Sequence, residues 1–206
     1  MPGGDGLLGA ALPRRDAEAV SWEGLNPPYR AIVADPPWAY RNRRGTQTRA
    51  RRGRQAVAAA GNYETLAPVA VASLPVRELA APDAALFLWV TVPLLFSVGV
   101  PEILASWGFS YVTLLTWVKT GAPGLGFSFR GHTEHVVYAT RGEATIPPGK
   151  RESNVIVAPR TAHSVKPAAF YDLVERVASG PYLELFARQP RLGWDHWGNG
   201  YEEARP

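Results

Sequence analysis

A chain of 206 residues with 46% hydrophobic and 11% aromatic content is long enough to bury one substantial core and too apolar for a disordered segment. It contains no cysteine, which excludes disulfides and thiolate metal sites and fits a reducing cytoplasm. The net charge of +4 has a single source: seven arginines between Arg41 and Arg54 with no acid among them, and taking those seven away leaves −3.

The first 28 residues are mixed in character. Met1-Pro2-Gly3-Gly4-Asp5 has neither a basic lead nor a long apolar core, so no signal peptide is expected. Residues 7–12 read as a fragment of helix, and Asn26-Pro27-Pro28 as a turn. The β-branched run 29–34 then reads as a buried strand that stops at Asp35-Pro36-Pro37-Trp38. Pro36 has no N–H to continue a strand ladder, and Pro37 keeps its predecessor out of the helical region, so the turn is stiff and extended. It gathers a carboxylate, an unpaired Pro36 carbonyl and an indole ring. That set suits a flat ring carrying an amino group, with two acceptors for its hydrogens and one face to stack on. The arginine block begins three residues after Trp38, beside this turn. Residues 41–62 are therefore expected to form a basic, mobile loop at the site, binding a polynucleotide backbone through Coulomb attraction and counterion release.

A short helix is expected from residue 63 to about 73, ended by Leu74-Pro75. The apolar stretch 84–100 falls short of the roughly 20 residues a membrane span needs and carries Pro93 in its middle, so it reads as strand, turn, helix. The strand covers 85–90, and the helix runs from Pro93 to about Trp107, with Gly108 as its stop. Further strands are expected at 111–117, 134–140 and 154–157, with 121–128 as a loop. Lys166-Pro167 opens a helix in which Phe170, Leu173, Val174 and Val177 share a face, Gly180-Pro181 closes it, and 182–186 is the last clear strand. Strands alternating with helices indicate an α/β fold: one domain over 1–206, built on a mostly parallel, doubly wound sheet flanked by helices. Ligands bind such sheets outside the carboxyl ends of the strands, where Asp35, Lys119 and Arg188 all fall.

There is no G-x-G-x-x-G and no Walker loop, so neither a nicotinamide cofactor nor ATP has sequence support. His132-Thr133-Glu134-His135 contains the first half of the zinc deaminase signature, but the second half requires cysteines; no metal is expected, and His135 reads as structural. Glu134, at the start of its strand, is a candidate for the site.

A wider series of motifs occurs in order: Asp35-Pro36-Pro37-Trp38, Leu86-Phe87-Leu88-Trp89, Trp107-Gly108-Phe109, Trp117-Val118-Lys119, Lys166-Pro167 with Phe170-Tyr171, Glu184-Leu185-Phe186-Ala187-Arg188, and Gly193-Trp194-Asp195 with Trp197-Gly198-Asn199. The series resembles the MT-A70-like adenine-N6 methyltransferases over residues 29–201. The resemblance implies a Rossmann-like methyltransferase fold in permuted order, with the catalytic motif ahead of the cofactor strand. It also implies S-adenosylmethionine as donor and S-adenosylhomocysteine as product. It casts Asp35, Pro36, Pro37 and Trp38 as the catalytic turn, which holds the adenine amine between two acceptors while Trp38 stacks on the base. Lys166 is expected near Asp35 at the methionine part of the donor, Glu184 and Phe186 around its pocket, Arg188 and Asn199 at the ribose, and Gly200 in the pocket wall. Asp16 and Glu18 are both candidates for the donor adenine. Gln189-Pro190-Arg191 and Gly200 depart from the residues usual in relatives at those places. On the substrate side stand Tyr40 or Trp117 as a second wall, with Lys119, Glu134, Arg49, Arg51, Arg52 and Arg54. The expected partner is nucleic acid, DNA favoured over RNA or a small adenine-containing molecule. A catalytically silent nucleic-acid-binding subunit is the competing reading, against which all four residues of the catalytic turn are present. A monomer or homodimer is expected, an obligate partner subunit remains open, and no membrane is involved.

Neutralising Arg49, Arg51, Arg52 and Arg54 together is expected to weaken polynucleotide binding and to flatten its dependence on salt. Titrations at several salt concentrations read this directly; an unchanged slope makes the block a bystander.

Overall fold

The structure is a computed structural model that describes residues 22, 24–38, 66–95, 99–122, 129–161 and 165–198. The helix fragment expected at 7–12 and the arginine block lie outside them; the helix expected from residue 63 begins only at Pro68, because Ala67 is extended and Leu66 bridges to Trp38. Seven strands, β1 Tyr29–Ala34, β2 Ala80–Val90, β3 Ser110–Thr120, β4 Thr133–Arg141, β5 Val155–Pro159, β6 Tyr182–Leu185 and β7 Trp194–Trp197, form one sheet in the order β5-β3-β4-β2-β1-β6-β7. The helices are α1 Pro68–Ala72, α2 Val76–Leu79, α3 Val92–Leu95, α4 Gly99–Trp107 and α5 Ala168–Val177. Among the described residues, no helix is long and apolar enough to cross a membrane.

Successive side chains of a strand point to opposite faces, so each central strand feeds two cores. On one face Ile32 and Ala34 of β1 and Leu86, Leu88 and Val90 of β2 pack with Val71 of α1 and Ile103 and Trp107 of α4. On the other, Val33, Phe87, Trp89, Leu115 and Trp117 pack with Phe170, Leu173, Val174 and Val177 of α5. The shared face expected of α5 is its buried face. The α/β architecture with helices on both sides of a mostly parallel sheet is thus borne out. Within 84–100 the strand is β2, and α3 and α4 are the described parts of the helix expected after it; Gly108 closes α4 at φ 77°, the left-handed conformation that suits a residue without Cβ.

Three further features differ from the sequence expectation. β4 runs antiparallel to both β2 and β3, while the other neighbouring pairs are parallel. An apolar run carries no mark of direction, so the reversal is set by connection and packing alone. Second, Pro75 ends α1 but also stands at the N-cap of α2, because a proline disrupts a helix interior yet is tolerated at a helix start. Third, β7 is a seventh strand hidden by its polar Asp195 and His196. Asp195 is claimed by a tertiary contact, accepting from the Tyr29 hydroxyl and, at 3.3 Å, from the Asn26 N–H.

The registers bring one end of every strand together. Ala34 lies opposite Leu88 and Leu185, Val90 opposite His135, Val118 opposite Thr133, and Thr120 opposite Pro159. The carboxyl ends of the parallel strands and the amino end of the reversed β4 therefore face the same way.

Phe170 is fully buried, with its ring centroid 4.8 Å from Trp89 and 6.2 Å from Phe87. Phe170→Ala is expected to lower stability by about 3–5 kcal/mol in urea unfolding. A loss below about 1 kcal/mol would mean that α5 does not close this face.

Candidate active site

At the carboxyl end of β1 the chain is held from both sides. The Asp35 N–H donates to the Leu185 carbonyl (3.3 Å), and the Leu66 N–H donates to the Pro37 carbonyl (2.8 Å). Trp38 is 7% exposed, and its Nε1–H donates to the Trp89 carbonyl at 2.9 Å. Its ring therefore braces the turn from inside the core. Among the described residues no donor is bonded to the Pro36 carbonyl, as the two-proline turn implies.

Asp35 does not stand alone. The Lys166 ammonium lies 3.0 Å from Asp35 Oδ2 and 3.1 Å from Glu134 Oε2, and Lys119 pairs with the other Glu134 oxygen. Cations and carboxylates thus alternate along a chain drawn from the ends of β1, β4 and β3 and the approach to α5. Each ammonium also sits over an indole, Lys166 at 4.6 Å from the Trp89 ring and Lys119 at 4.7 Å from the Trp117 ring. Burial pushes the Asp35 carboxyl above the usual carboxylate range, against the pull of Lys166. For Lys166 burial acts downward, and Asp35 with Glu134 reverses it, so the ammonium holds its proton more firmly than usual. Burial raises Glu134, but Lys166 and Lys119 together bring it below its ordinary value.

Beside this chain opens a cavity of about 300 Å³ lined by Asp35, Lys166, Tyr171, Glu184, Phe186 and Arg188, among others. Glu184 is only 6% exposed and accepts the Tyr171 hydroxyl hydrogen at 2.6 Å. Burial pushes its carboxyl up to about 7; the Tyr171 hydrogen bond acts downward and nearby Asp35 upward. Phe186 has φ 65°, a left-handed conformation costly for a bulky residue, and it turns the chain sharply out of β6. The turn lets Ala187 N–H donate to the Trp197 carbonyl (3.1 Å) and brings Gly198 against the backbone. A Cβ on Gly198 would lie 2.8 Å from Ala187 N and 2.9 Å from Phe186 C, so only glycine fits.

The structure thus brings together Asp35, Lys166, Glu134, Lys119, Glu184, Phe186 and Arg188. Trp117, like Trp38, is a core residue: it is 2% exposed, and its Nε1–H donates to the Ala158 carbonyl at 3.1 Å. Asp16, Tyr40, Arg49, Arg51, Arg52, Arg54, Asn199 and Gly200 lie outside the described residues. Sequence reasoning missed Tyr171 as a cavity residue. The signal was its place beside Phe170, one helical step off the buried face and facing the polar end of β6. Arg191 also lines the cavity, but its guanidinium is committed to α5: Nε to Glu175 Oε1 at 2.8 Å, Nη2 to Glu175 Oε2 and to Asp172 Oδ1, each at 2.9 Å. That pairing, with the Trp194 Nε1–H, pulls Glu175 down to about 2 and straps the 186–191 segment to the helix. Among the described residues no three potential ligands cluster as a metal site. His135 bonds Thr116 Oγ1 through Nδ1 at 3.1 Å.

Comparison with known proteins agrees with this geometry. The MT-A70 family model matches residues 29–200. The chain is 31% identical over 182 residues to the Type II methyltransferase M.MunI of a Mycoplasma species, covering 82% of this chain and 76% of that protein. It is 33% identical over 188 residues to the N6-methyladenosine RNA methyltransferase MTA1 of Cryphonectria parasitica, covering 84% and 52%. It is 29% identical over 186 residues to the N(6)-adenine-specific methyltransferase METTL4 of Homo sapiens, covering 82% and 36%. The chain therefore spans about half of the second relative's length and about a third of the third.

Because the native state favours protonated Glu184 more than the unfolded chain does, this group makes stability fall as pH rises from about 4.5 to 7 and adds no slope above that. Glu184→Gln, which cannot ionise, is expected to remove that slope, worth about 3 kcal/mol between the two limits. Urea unfolding of both proteins across this range measures it; parallel curves would place Glu184 in a solvated setting.

Proposed function

The chain belongs to the MT-A70 family of S-adenosylmethionine-dependent adenine-N6 methyltransferases, and from that premise we propose that it methylates the exocyclic N6 amine of adenine in DNA. The observation that carries the reading is Asp35, delivered by a two-proline turn to the carboxyl end of the sheet, 3.0 Å from Lys166 and on the wall of the cavity. DNA is favoured because, of the three relatives described, M.MunI is the one whose length this chain most nearly fills.

The cavity suits the donor chemically. Its volume lies at the lower end of the range for small-molecule sites, and it joins an ammonium to two carboxyls, the complement of an amino-acid group carrying both charges. Lys166 would hold the donor's carboxylate, Glu184 and Asp35 would face its amino end, and Arg188 would reach the ribose. When bound, S-adenosylmethionine supplies a methyl group on an electron-poor sulfonium. Everything else falls to the protein. Adenine's exocyclic nitrogen is a poor nucleophile because its lone pair is delocalised into the ring. The Asp35 carboxylate and the free Pro36 carbonyl each accept one of its hydrogens, which bends the nitrogen toward a tetrahedral shape and localises the pair. With the donor in place, that pair would form the N–C bond as the donor's S–C bond breaks, and the nitrogen would then shed a proton. Asp35, its proton affinity raised by burial, takes that proton. Positioning and electrostatics supply the acceleration, so a strong base is not needed.

Asp35→Asn is expected to lower the rate of methyl transfer by about 10²–10⁴-fold while changing donor affinity far less, since Lys166 keeps Glu134 and Glu184 stays in place. Labelled donor should be offered in parallel to single-stranded DNA, duplex DNA, RNA and free nucleosides. Label on adenine N6 in DNA is the expected result. Preference for RNA would overturn the choice of polymer, and label in no adenine would overturn the reaction.

A further inference from the structure

An exposed phenylalanine and two exposed arginines lie a few residues along the chain from the site, Phe129 and Arg130 before Glu134 and Arg160 next to the cavity residue Thr161, and take no part in the ion chain or the cavity lining. Arg130 lies four residues before Glu134, so its Cα is within about 13 Å of that of Glu134 even on an extended chain. The intervening segment is anchored: Lys119 N–H donates to the His132 carbonyl at 2.7 Å, and His132 Nδ1 meets the Lys119 carbonyl at 3.1 Å. On the other side of β3, Thr120 lies opposite Pro159, and Arg160 leaves β5 one residue later. Arg130 thus precedes β4 and Arg160 follows β5, the two strands on either side of β3. Neither has a hydrogen-bond or ion-pair partner among the described residues, and both are exposed. Next to Arg130, Phe129 is 89% exposed. A ring that large left in water beside an arginine is the pairing from which single-strand stacking platforms are built.

We propose that Phe129, Arg130 and Arg160 hold the strand next to the target adenine: Phe129 stacks on a neighbouring unpaired base, and the two guanidiniums take the phosphates on either side. This rests on the reading that the substrate is adenine in a polynucleotide, and it names residues for the flanking nucleotides. Every base has a stackable face and every phosphate the same charge, so the contact is indifferent to sequence. It requires the flanking base to be unstacked, and therefore favours single-stranded or locally opened substrate. None of the three belongs to the arginine block at 41–54: Phe129 and Arg130 come from the β3–β4 connection and Arg160 from the end of β5.

The test uses the full chain and a short fluorescein-labelled single-stranded oligodeoxynucleotide with one central adenine, followed by anisotropy. Phe129→Ala is expected to raise Kd about tenfold, and Phe129→Trp to keep it near the starting value. The double change Arg130→Gln with Arg160→Gln is expected to lower the slope of log Kd against log salt by about 1.4, the share of two phosphate contacts on a single strand. A 2-aminopurine beside the adenine should be quenched on binding and should lose that quench in Phe129→Ala. All variants should bind the donor as the starting protein does. Equal affinities and an equal quench across the variants, or no binding by the starting protein, overturn the contact. A protein that binds the strand, loses it in the variants, yet methylates no adenine upholds the contact and overturns the methyltransferase reading.

Discussion

A single buried ammonium, that of Lys166, joins Asp35 to Glu134, and the arrangement of the site depends on it. Taking charges out of water costs several kcal/mol for each ion, so the Asp35 carboxylate would not stay ionised in this position without a cation held against it. The pairing also sets what the fold must do. Asp35 comes from the end of β1, Glu134 from the start of β4, and Lys166 from the approach to α5. The three meet only if β4 runs opposite to its neighbours, because a parallel β4 would carry Glu134 to the far end of the sheet. The direction of one strand is therefore a condition of the site.

Beneath the charges lies an aromatic frame. Trp89 and Trp117 meet edge to face at 6.2 Å, and each carries an ammonium above it. Trp38 closes the frame through its bond to the Trp89 carbonyl. These indoles make a stiff, low-dielectric floor on which ion pairs are stronger than in water. The same frame explains why Trp38 and Trp117, both expected to face the substrate, are enclosed instead. A tryptophan beside a catalytic turn can either meet a base or support the turn, and its sequence context is the same for both.

On the cofactor side the decisive feature is a bend. Phe186 in a left-handed conformation, together with a Gly198 that no larger residue could replace, lays the end of β7 across the end of β6. Arg191 then ties the loop between them to Glu175 and Asp172 of α5. The loop thereby lines the cavity with Asp35 and Glu184. Arg191, which departs from the residue usual in relatives at that place, has its guanidinium held by two helix acids and set over the Tyr171 ring at 5.3 Å.

Much of this was readable from local chemistry. Apolar runs marked most strands, the 3.6-residue spacing of Phe170, Leu173, Val174 and Val177 marked the buried face of α5, and two prolines after an acid marked a stiff turn holding a free carbonyl. Those features are properties of short stretches of chain: a proline lacks its N–H in any context, and periodicity needs no partner. The ordered motifs added the family and, with it, the association of Asp35, Lys166, Glu184 and Arg188. Tertiary structure alone decided the reversal of β4, the existence of β7, the burial of Trp38, the hydrogen bond from Tyr171 to Glu184 and the capture of Arg191 by α5. Each depends on groups far apart in sequence meeting in space, and the energy of such a meeting is written in neither partner's neighbourhood. Asp35 was recognisable as the residue that matters, with Lys166 near it; that it would be buried and linked through the Lys166 ammonium to Glu134 was decided only when the strands were laid side by side.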